Sequence, residues 1–127
     1  MTPEEMIADL DASLATDGEE VILQRLTLAA GGIQIPLSVR LRAFVRRYRP
    51  DELIGTITQQ DSKVILSPTQ IIRDGWTSGR PAHEDARVPV NGNRVIIQGR
   101  PRKVEAADGI YPAGELVRIE MLVKGQA

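Results

Sequence analysis

Cysteine is absent from the 127-residue chain, and its absence narrows the chemistry open to the protein. A disulfide framework, a thiolate metal site and a cysteine nucleophile are all excluded. A reducing compartment suits such a chain. Aromatic residues are scarce as well, being limited to Phe44, Tyr48, Trp76 and Tyr111. With 42% hydrophobic residues and so few aromatic rings, we predict one mainly aliphatic core in a single domain, residues 1–127.

Long apolar segments and a strong net charge are also missing. No segment approaches the ~20 apolar residues that a membrane span needs. Residues 1–5 are acidic where a signal peptide would be basic. We therefore expect a soluble, cytoplasmic protein without a membrane partner. The 16 basic and 17 acidic residues leave a net charge of −1, whereas a dedicated nucleic-acid-binding protein is usually basic overall.

Residues 1–18 have the pattern of an amphipathic helix. Thr2 is placed to cap it, Pro3 suits the first helical position, and Glu5 completes a capping box. Four apolar residues recur at helical spacing: Met6, Ile7, Leu10 and Leu14. We expect Gly18 to end the helix in the left-handed conformation that glycine adopts easily.

After Gly18 the hydrophobic period changes to two, which indicates strands. Residues 21–28 read as one strand, followed by a turn at residues 29–32. The pattern is clearest after Pro36, where one face is apolar at every second residue: Leu37, Val39, Leu41, Ala43 and Val45. A strand that is buried on one face only favours an antiparallel sheet.

The rest of the chain is predicted to hold more strands and a second helix. We place strands at residues 63–66, 94–97, 101–105 and 115–124, and loops at residues 77–89 and 107–114. Ser67-Pro68 begins a helix of one or two turns, and Gln98-Gly99 suits a tight hairpin turn. The fold class is therefore mainly β: a small antiparallel β-barrel or two-sheet sandwich over residues 19–127, with an N-terminal α-helix and one short internal helix.

No motif for catalysis, a cofactor or a metal is recognisable. His83, the only histidine, lies beside Glu84 and Asp85 in a polar loop, and no serine occupies a nucleophile elbow. A zinc site with one histidine and no cysteine would need an uncommon set of carboxylates. We predict a non-enzymatic protein without cofactors. An enzyme would require His83 or perturbed carboxylates to meet in a deep pocket.

Arginines are concentrated in one segment, which holds Arg40, Arg42, Arg46, Arg47 and Arg49 within ten residues. The first three share one strand face with Phe44. One interpretation is a basic surface that contacts DNA phosphates or an acidic partner. The other is a solvated outer face that discourages aggregation. We take these five residues, the 40–49 arginines, as candidate contacts to a partner or to DNA in a channel.

The order of the elements and several short phrases resemble a known protein family. A short acidic helix precedes residues 21–26 and the arginine-rich strand, and residues 49–54, 61–67 and 74–76 follow. The most telling part is residues 93–104, where a strand, a Gly-Arg-Pro turn and a second strand succeed one another. Over nearly its whole length the chain resembles the head–tail joining (head-completion or stopper) proteins of long-tailed phages and prophages.

The resemblance implies a β-barrel subunit that adds as a ring beneath the portal or its adaptor. The ring closes the DNA-filled head and offers a docking face to the tail. The partners it implies are portal, adaptor and tail proteins, with the chain monomeric before assembly and a ring homo-oligomer in the virion. It also implies the host cytoplasm and then the virion as locations, and non-specific contact with packaged DNA. Residues 53–62 and 77–89 are our candidates for loops that become ordered during assembly.

Two other function classes stay open at this point. A tail-terminator or tail-completion protein has a similar size and β-rich character, and it differs in docking to the tail tube rather than to the portal or adaptor. A small nucleic-acid-binding barrel predicts binding that weakens steeply with salt and is lost when Arg40, Arg42 and Arg46 are neutralised.

Overall fold

The computed structural model describes residues 1–28, 30–55, 57–78 and 80–125. Helix α1 spans Pro3–Asp17 and begins as predicted. The Thr2 hydroxyl accepts a hydrogen bond from the Glu5 N–H (3.2 Å), and the Glu5 carboxylate accepts one from the Thr2 N–H (3.5 Å). This capping box satisfies backbone donors that have no partner inside the helix.

Gly18 ends α1, but the left-handed conformation that we predicted for it is wrong. Its φ is −81° and its ψ is 173°, an extended conformation that any residue adopts. Glycine is needed there for space instead. An added Cβ would lie 2.6 Å from the carbonyl oxygen of Leu14 and 3.1 Å from that of Ala43. The end of the helix therefore packs directly against the backbone of a strand.

Six strands form one closed antiparallel barrel in the order β1–β2–β3–β6–β5–β4. Their bounds are β1 Glu19–Leu28, β2 Gln34–Arg47, β3 Ser62–Leu66, β4 Arg94–Ile97, β5 Arg100–Ile110 and β6 Arg118–Val123. The short internal helix α2 spans Thr69–Arg73 and, as predicted, follows Ser67-Pro68. The mainly β prediction is confirmed, and of the two architectures that it allowed the barrel is the one formed.

The core fills the inside of the barrel and is aliphatic except for Trp76. The predicted inward face of β2 is confirmed, since Val39, Leu41 and Ala43 are buried and their neighbours on the outer face are not. Trp76 is completely buried, and its indole N–H donates to the carbonyl of Leu37 (2.8 Å). That bond supplies the partner that a buried indole N–H requires.

Strand β5 is the largest departure from the sequence prediction. We expected a loop at residues 107–114, but β5 continues to Ile110 and pairs with β6. A β-bulge explains the error, because Val104 lies opposite Val123 while the next paired residue is Ala106. The extra residue shifts the inward positions from even to odd numbers, so a search for strict alternation loses the strand halfway along.

The last strand also begins later than predicted. It starts at Arg118 rather than at Glu115, because residues Pro112–Gly114 form a 3-10 turn. Along this segment, Val117, Ile119, Met121 and Val123 are buried at alternate positions. Leu116 is buried as well and packs against the core. It lies ahead of the strand, where alternation does not apply.

The turn predicted at Gln98-Gly99 agrees with the structure. Gln98 and Gly99 both have positive φ values (52° and 79°), which is the conformation of a type I′ hairpin turn. The described residues of 53–60 form an irregular connection, and the described residues of 77–89 form a loop. Some positions of these predicted segments lie outside the described residues: Ala29, Thr56 and Gly79, together with Gln126 and Ala127 of the predicted domain.

Candidate functional site

One end of the barrel opens into a cavity of about 680 Å³. The end of β2, the start of β3, the β4–β5 turn and the residues after β6 meet there. The residues that line it are Arg47, Gln60, Ser62, Ile97, Gln98, Arg100, Pro101, Arg102 and Gly125. Three of these are arginines and none is acidic. We call Arg47, Arg100 and Arg102 the arginine mouth.

The strand registers explain why these three side chains converge. Arg47 continues the inward-facing row of β2 beyond the last core residue. Arg100 pairs with Ile97 and Arg102 with Val95, and both partners are buried. Because directly opposite residues lie on the same face of a sheet, the two β5 arginines are aimed at the inside of the barrel. They lie at its end, where the core stops and solvent enters.

Arg102 is held in place by the backbone around it. Its Nε–H donates to the carbonyl of Lys124 (2.8 Å), and an Nη2–H donates to that of Gln60 (3.3 Å). Burial lowers the pKa of Arg102, and the positive charge of Arg47 lowers it further. Asp61 opposes this effect. The two guanidinium groups are therefore close enough to repel each other.

Asp61 is the carboxylate nearest to the arginine mouth, and its hydrogen-bonding capacity is already used. It is 2% exposed and accepts hydrogen bonds from the N–H groups of Thr58 (3.0 Å) and Gly125 (2.9 Å). The ammonium of Lys124 donates to it as well (3.0 Å). These contacts lower its pKa despite its burial. Asp61 thus fixes the chain around the cavity rather than lining it.

The 40–49 arginines are not one continuous free surface. Arg42 caps the end of α1: its Nε–H donates to the carbonyl of Leu14 (2.9 Å), and an Nη2–H donates to that of Gly18. The Leu14 carbonyl also accepts the Gly18 N–H (2.9 Å), the Gly18 carbonyl lies just past the last helical residue, and a positive charge is favourable at a helix C-terminus. Arg42 therefore attaches α1 to the outside of β2.

Two more of these arginines converge on one carboxylate, that of Glu52. Arg46 forms a bidentate pair with it (2.9 and 3.0 Å), and the Nε of Arg49 lies 3.5 Å from it. The bond from Arg46, followed by one from the Arg49 N–H, lowers the pKa of Glu52 to about 2. Arg40 is largely exposed and lies 3.5 Å from Glu20. A contact role for the five stays a prediction, and of them only Arg47 belongs to the arginine mouth.

Arg25 is a buried cation that binds a loop to the barrel. It is 2% exposed, and it donates to the carbonyls of Ser78 (2.8 Å), Ala86 (2.9 Å) and Val88 (3.2 Å). Its guanidinium also stacks on Trp76, 3.9 Å from the ring centre. Burial lowers its pKa to about 10, with a further contribution from Arg80. Arg25 thus donates hydrogen bonds to carbonyls in the described part of the 77–89 loop, as the N–H groups of a neighbouring strand would do in a sheet.

Asp85 provides a second attachment for the same loop. It forms a bidentate pair with Arg87 (2.9 and 2.8 Å) and accepts a hydrogen bond from the Tyr111 hydroxyl (2.7 Å). The bonds from Arg87 and then Tyr111 outweigh burial and lower the pKa of Asp85 to about 2. His83 is exposed beside Glu84, as predicted for a loop residue. The ordering of this loop during assembly stays a prediction.

The opposite end of the barrel has a different chemistry. There β1 and β2 form a hairpin that extends past the six-stranded region, since β1 pairs with β4 only through residues 21–24. Three aliphatic side chains on this hairpin are exposed: Leu26 (56%), Ile33 (62%) and Ile35 (49%). Aliphatic exposure is not confined to this end, because Ile54 is 75% exposed in the connection between β2 and β3, which joins those strands beside the arginine mouth.

Sequence reasoning identified Arg47 but missed Arg100 and Arg102. A signal was present, since residues 94–103 contain four basic residues and no acidic one. Sequence spacing alone does not show that these residues meet Arg47 at one opening, because the pairing of β4 with β5 and the closure of the barrel bring them there.

No protein-family model matches the chain, and a search of curated protein sequences finds no match either. Within the described residues, no group of three or more His, Asp or Glu side chains is arranged to hold a metal ion. Among the helices in the described ranges, none is long and apolar enough to cross a membrane.

Proposed function

We propose that the chain is a structural subunit of a phage particle that joins the DNA-filled head to the tail. It acts through contacts with portal or adaptor proteins and with tail proteins, as a ring of identical subunits, and without catalysis. The resemblance in residues 93–104 and in the order of elements supports this proposal. A closed barrel suits it too, because closure leaves no sheet edge to pair with the wrong strand in a crowded assembly.

The observation that carries the proposal is the β1–β2 hairpin, which projects past the six-stranded region. Single exposed aliphatic residues are ordinary on protein surfaces. Here three exposed aliphatic side chains share this one hairpin: Leu26, Ile33 and Ile35. Apolar groups that cluster on a surface are typical of a protein-binding site. We assign the hairpin to a neighbouring virion protein.

A knockout of the gene in a strain that produces particles tests this function, with negative-stain electron microscopy as the measurement. Separate filled or leaking heads beside complete free tails are the expected result. Normal joined particles would remove the proposal. Tails of irregular length, with closed heads, would favour the tail-terminator alternative instead.

Complementation of the knockout tests the hairpin itself. Ile33→Asp should fail to restore joined particles, because it places a charge on the proposed contact surface. Ile72→Asp is the matched control, since Ile72 is an isoleucine that is 51% exposed on α2, outside the hairpin. Full complementation by Ile33→Asp would show that the hairpin is not the contact.

A second candidate function is a small nucleic-acid-binding barrel. The arginine mouth favours it, because three guanidinium groups around one opening attract polyanions. Against it stand the net charge of −1 and the absence of aromatic residues from the cavity lining, since barrels that bind single strands stack bases on aromatic rings. We therefore rank it below the assembly role.

A further inference from the structure

We infer that the arginine mouth and the adjoining β4–β5 hairpin bind the phosphate backbone of double-stranded DNA without reading its sequence. The inference rests on the position, spacing and free donors of these side chains. It does not depend on the proposed head–tail role.

The cations of the β4–β5 hairpin form a track rather than a single point. Arg100 and Arg102 are two residues apart on a strand, so their Cα atoms are separated by roughly 6.7 Å. Phosphates two positions apart on one DNA strand are separated by about the same distance along the helix axis. Arg94 lies directly opposite Lys103; both are on the outer face of the hairpin, and they line a smaller cavity together with Arg102. Cations distributed along and across the hairpin match a polyanion better than one small ion.

The mouth has free hydrogen-bond donors. Across the described residues, the guanidinium groups of Arg47 and Arg100 make no hydrogen bond or ion pair, which separates them from Arg42 and Arg46. Arg102 uses two of its five N–H donors on backbone carbonyls and keeps three. The arginine mouth therefore brings together positive charges that form no ion pair with a described carboxylate, so that an external anion can neutralise them. Phosphate oxygens accept bidentate bonds from such groups.

The surroundings favour DNA over an acidic protein segment. The centre of a protein interface is depleted of charged residues and rich in apolar or aromatic side chains. The cavity lining includes no exposed large aliphatic residue, because its Ile97 is only 6% exposed. The exposed aliphatic groups of the hairpin lie at the opposite end of the barrel. The absence of aromatic rings from the lining also argues against base stacking.

The test is a titration of a short fluorescein-labelled DNA duplex with purified protein, followed by fluorescence anisotropy. Protein is added to about 200 μM, because non-specific dissociation constants are typically about 10⁻⁴–10⁻⁶ M. The variant is Arg47→Gln/Arg100→Gln. The matched control is Arg73→Gln/Arg118→Gln, which removes two arginines that belong neither to the arginine mouth nor to the 40–49 arginines. Far-UV circular dichroism confirms that each variant is folded.

Wild-type binding should weaken steeply between about 50 and 200 mM salt, equally for two unrelated duplex sequences. The mouth variant should lose roughly 2 units of the salt slope, about 0.9 for each phosphate contact, and the control should keep the wild-type slope. Absence of salt-dependent binding, or an equal loss in the control, overturns the inference. Tighter binding of a poly-glutamate peptide than of DNA also overturns it and assigns the site to an acidic protein.

Discussion

Arg25 is a buried cation that donates to three backbone carbonyls rather than to a carboxylate, so its replacement is an informative test of how the barrel holds its longest described loop. The change is Arg25→Met, which keeps an unbranched apolar side chain beside Trp76 and removes the guanidinium. The variant loses the three hydrogen bonds and the cation–π contact together. The carbonyls of Ser78, Ala86 and Val88 are left without this donor.

The expected cost follows from opposing contributions. A hydrogen bond from a charged donor is worth about 1.5–3 kcal/mol net, and a desolvated cation–π contact is worth about 2 kcal/mol. Burying the charge of Arg25 in the wild-type protein costs several kcal/mol, and the variant does not have this cost. The lowered pKa of Arg25 reflects the same unfavourable burial. Some of the loop carbonyls can also accept hydrogen bonds from water in place of Arg25. We expect the free energy of unfolding to fall by roughly 3 kcal/mol, because a buried carbonyl left without its donor costs about 1–3 kcal/mol.

Urea denaturation measures this effect, with the fluorescence of the single tryptophan and far-UV circular dichroism as independent probes. For a slope of about 1.5 kcal/mol per molar urea, the midpoint should fall by about 2 M. Arg25→Lys should lose nearly as much, because one ammonium does not reproduce the fork that serves three carbonyls. Arg40→Met is the control and should change stability by less than about 0.5 kcal/mol, since Arg40 is largely exposed. A midpoint for Arg25→Met close to that of the control would refute the reasoning.

Three further predictions concern the helix end and the 77–89 loop. Gly18→Ala should destabilise the protein by roughly 1–3 kcal/mol, because its Cβ overlaps backbone oxygens; the stabilisation that alanine brings at an unstrained site would contradict this. Arg42→Met should lower the hydrogen-exchange protection of α1 by about 1–2 kcal/mol, whereas unchanged protection would exclude its capping role. Asp85 has a folded pKa of about 2, below its ordinary value, because Arg87 binds the charged form. Its stabilisation is therefore present above about pH 4 and is lost as the pH falls towards 2. Asp85→Asn should flatten that part of a curve of unfolding free energy against pH, and an unaltered curve would count against the assignment.

Features that depend on neighbouring residues were predictable. The capping box at Thr2 and Glu5, the alternation along β2 and the Gln98-Gly99 turn all formed as expected. In each case the physical cause acts within a few residues: a hydroxyl reaches a nearby N–H, successive side chains point to opposite faces, and glycine tolerates a positive φ. These rules do not require knowledge of the fold.

Features that depend on distant partners were not predictable. The left-handed assignment of Gly18 failed because part of the constraint on it comes from the carbonyl of Ala43 in β2, beside the nearer carbonyl of Leu14 in its own helix. The second half of β5 was missed because its bulge breaks the alternation, while pairing with β6 supplies the backbone bonds that its sequence does not advertise.

By itself the sequence determined a mainly β fold, its N-terminal helix, most of its strands and the apolar faces that meet in the core. Local backbone preference and hydrophobic period are sufficient for that much. Only the tertiary structure decided which arginines remain free. Arg42 reaches a carbonyl at the end of α1, and Arg46 pairs with Glu52, which lies beyond the end of β2. Arg47, Arg100 and Arg102, in contrast, lie around one opening. The physical reason is that a charge is free or neutralised according to what lies within a few ångströms of it, and barrel closure brings together residues that are more than fifty positions apart in the chain.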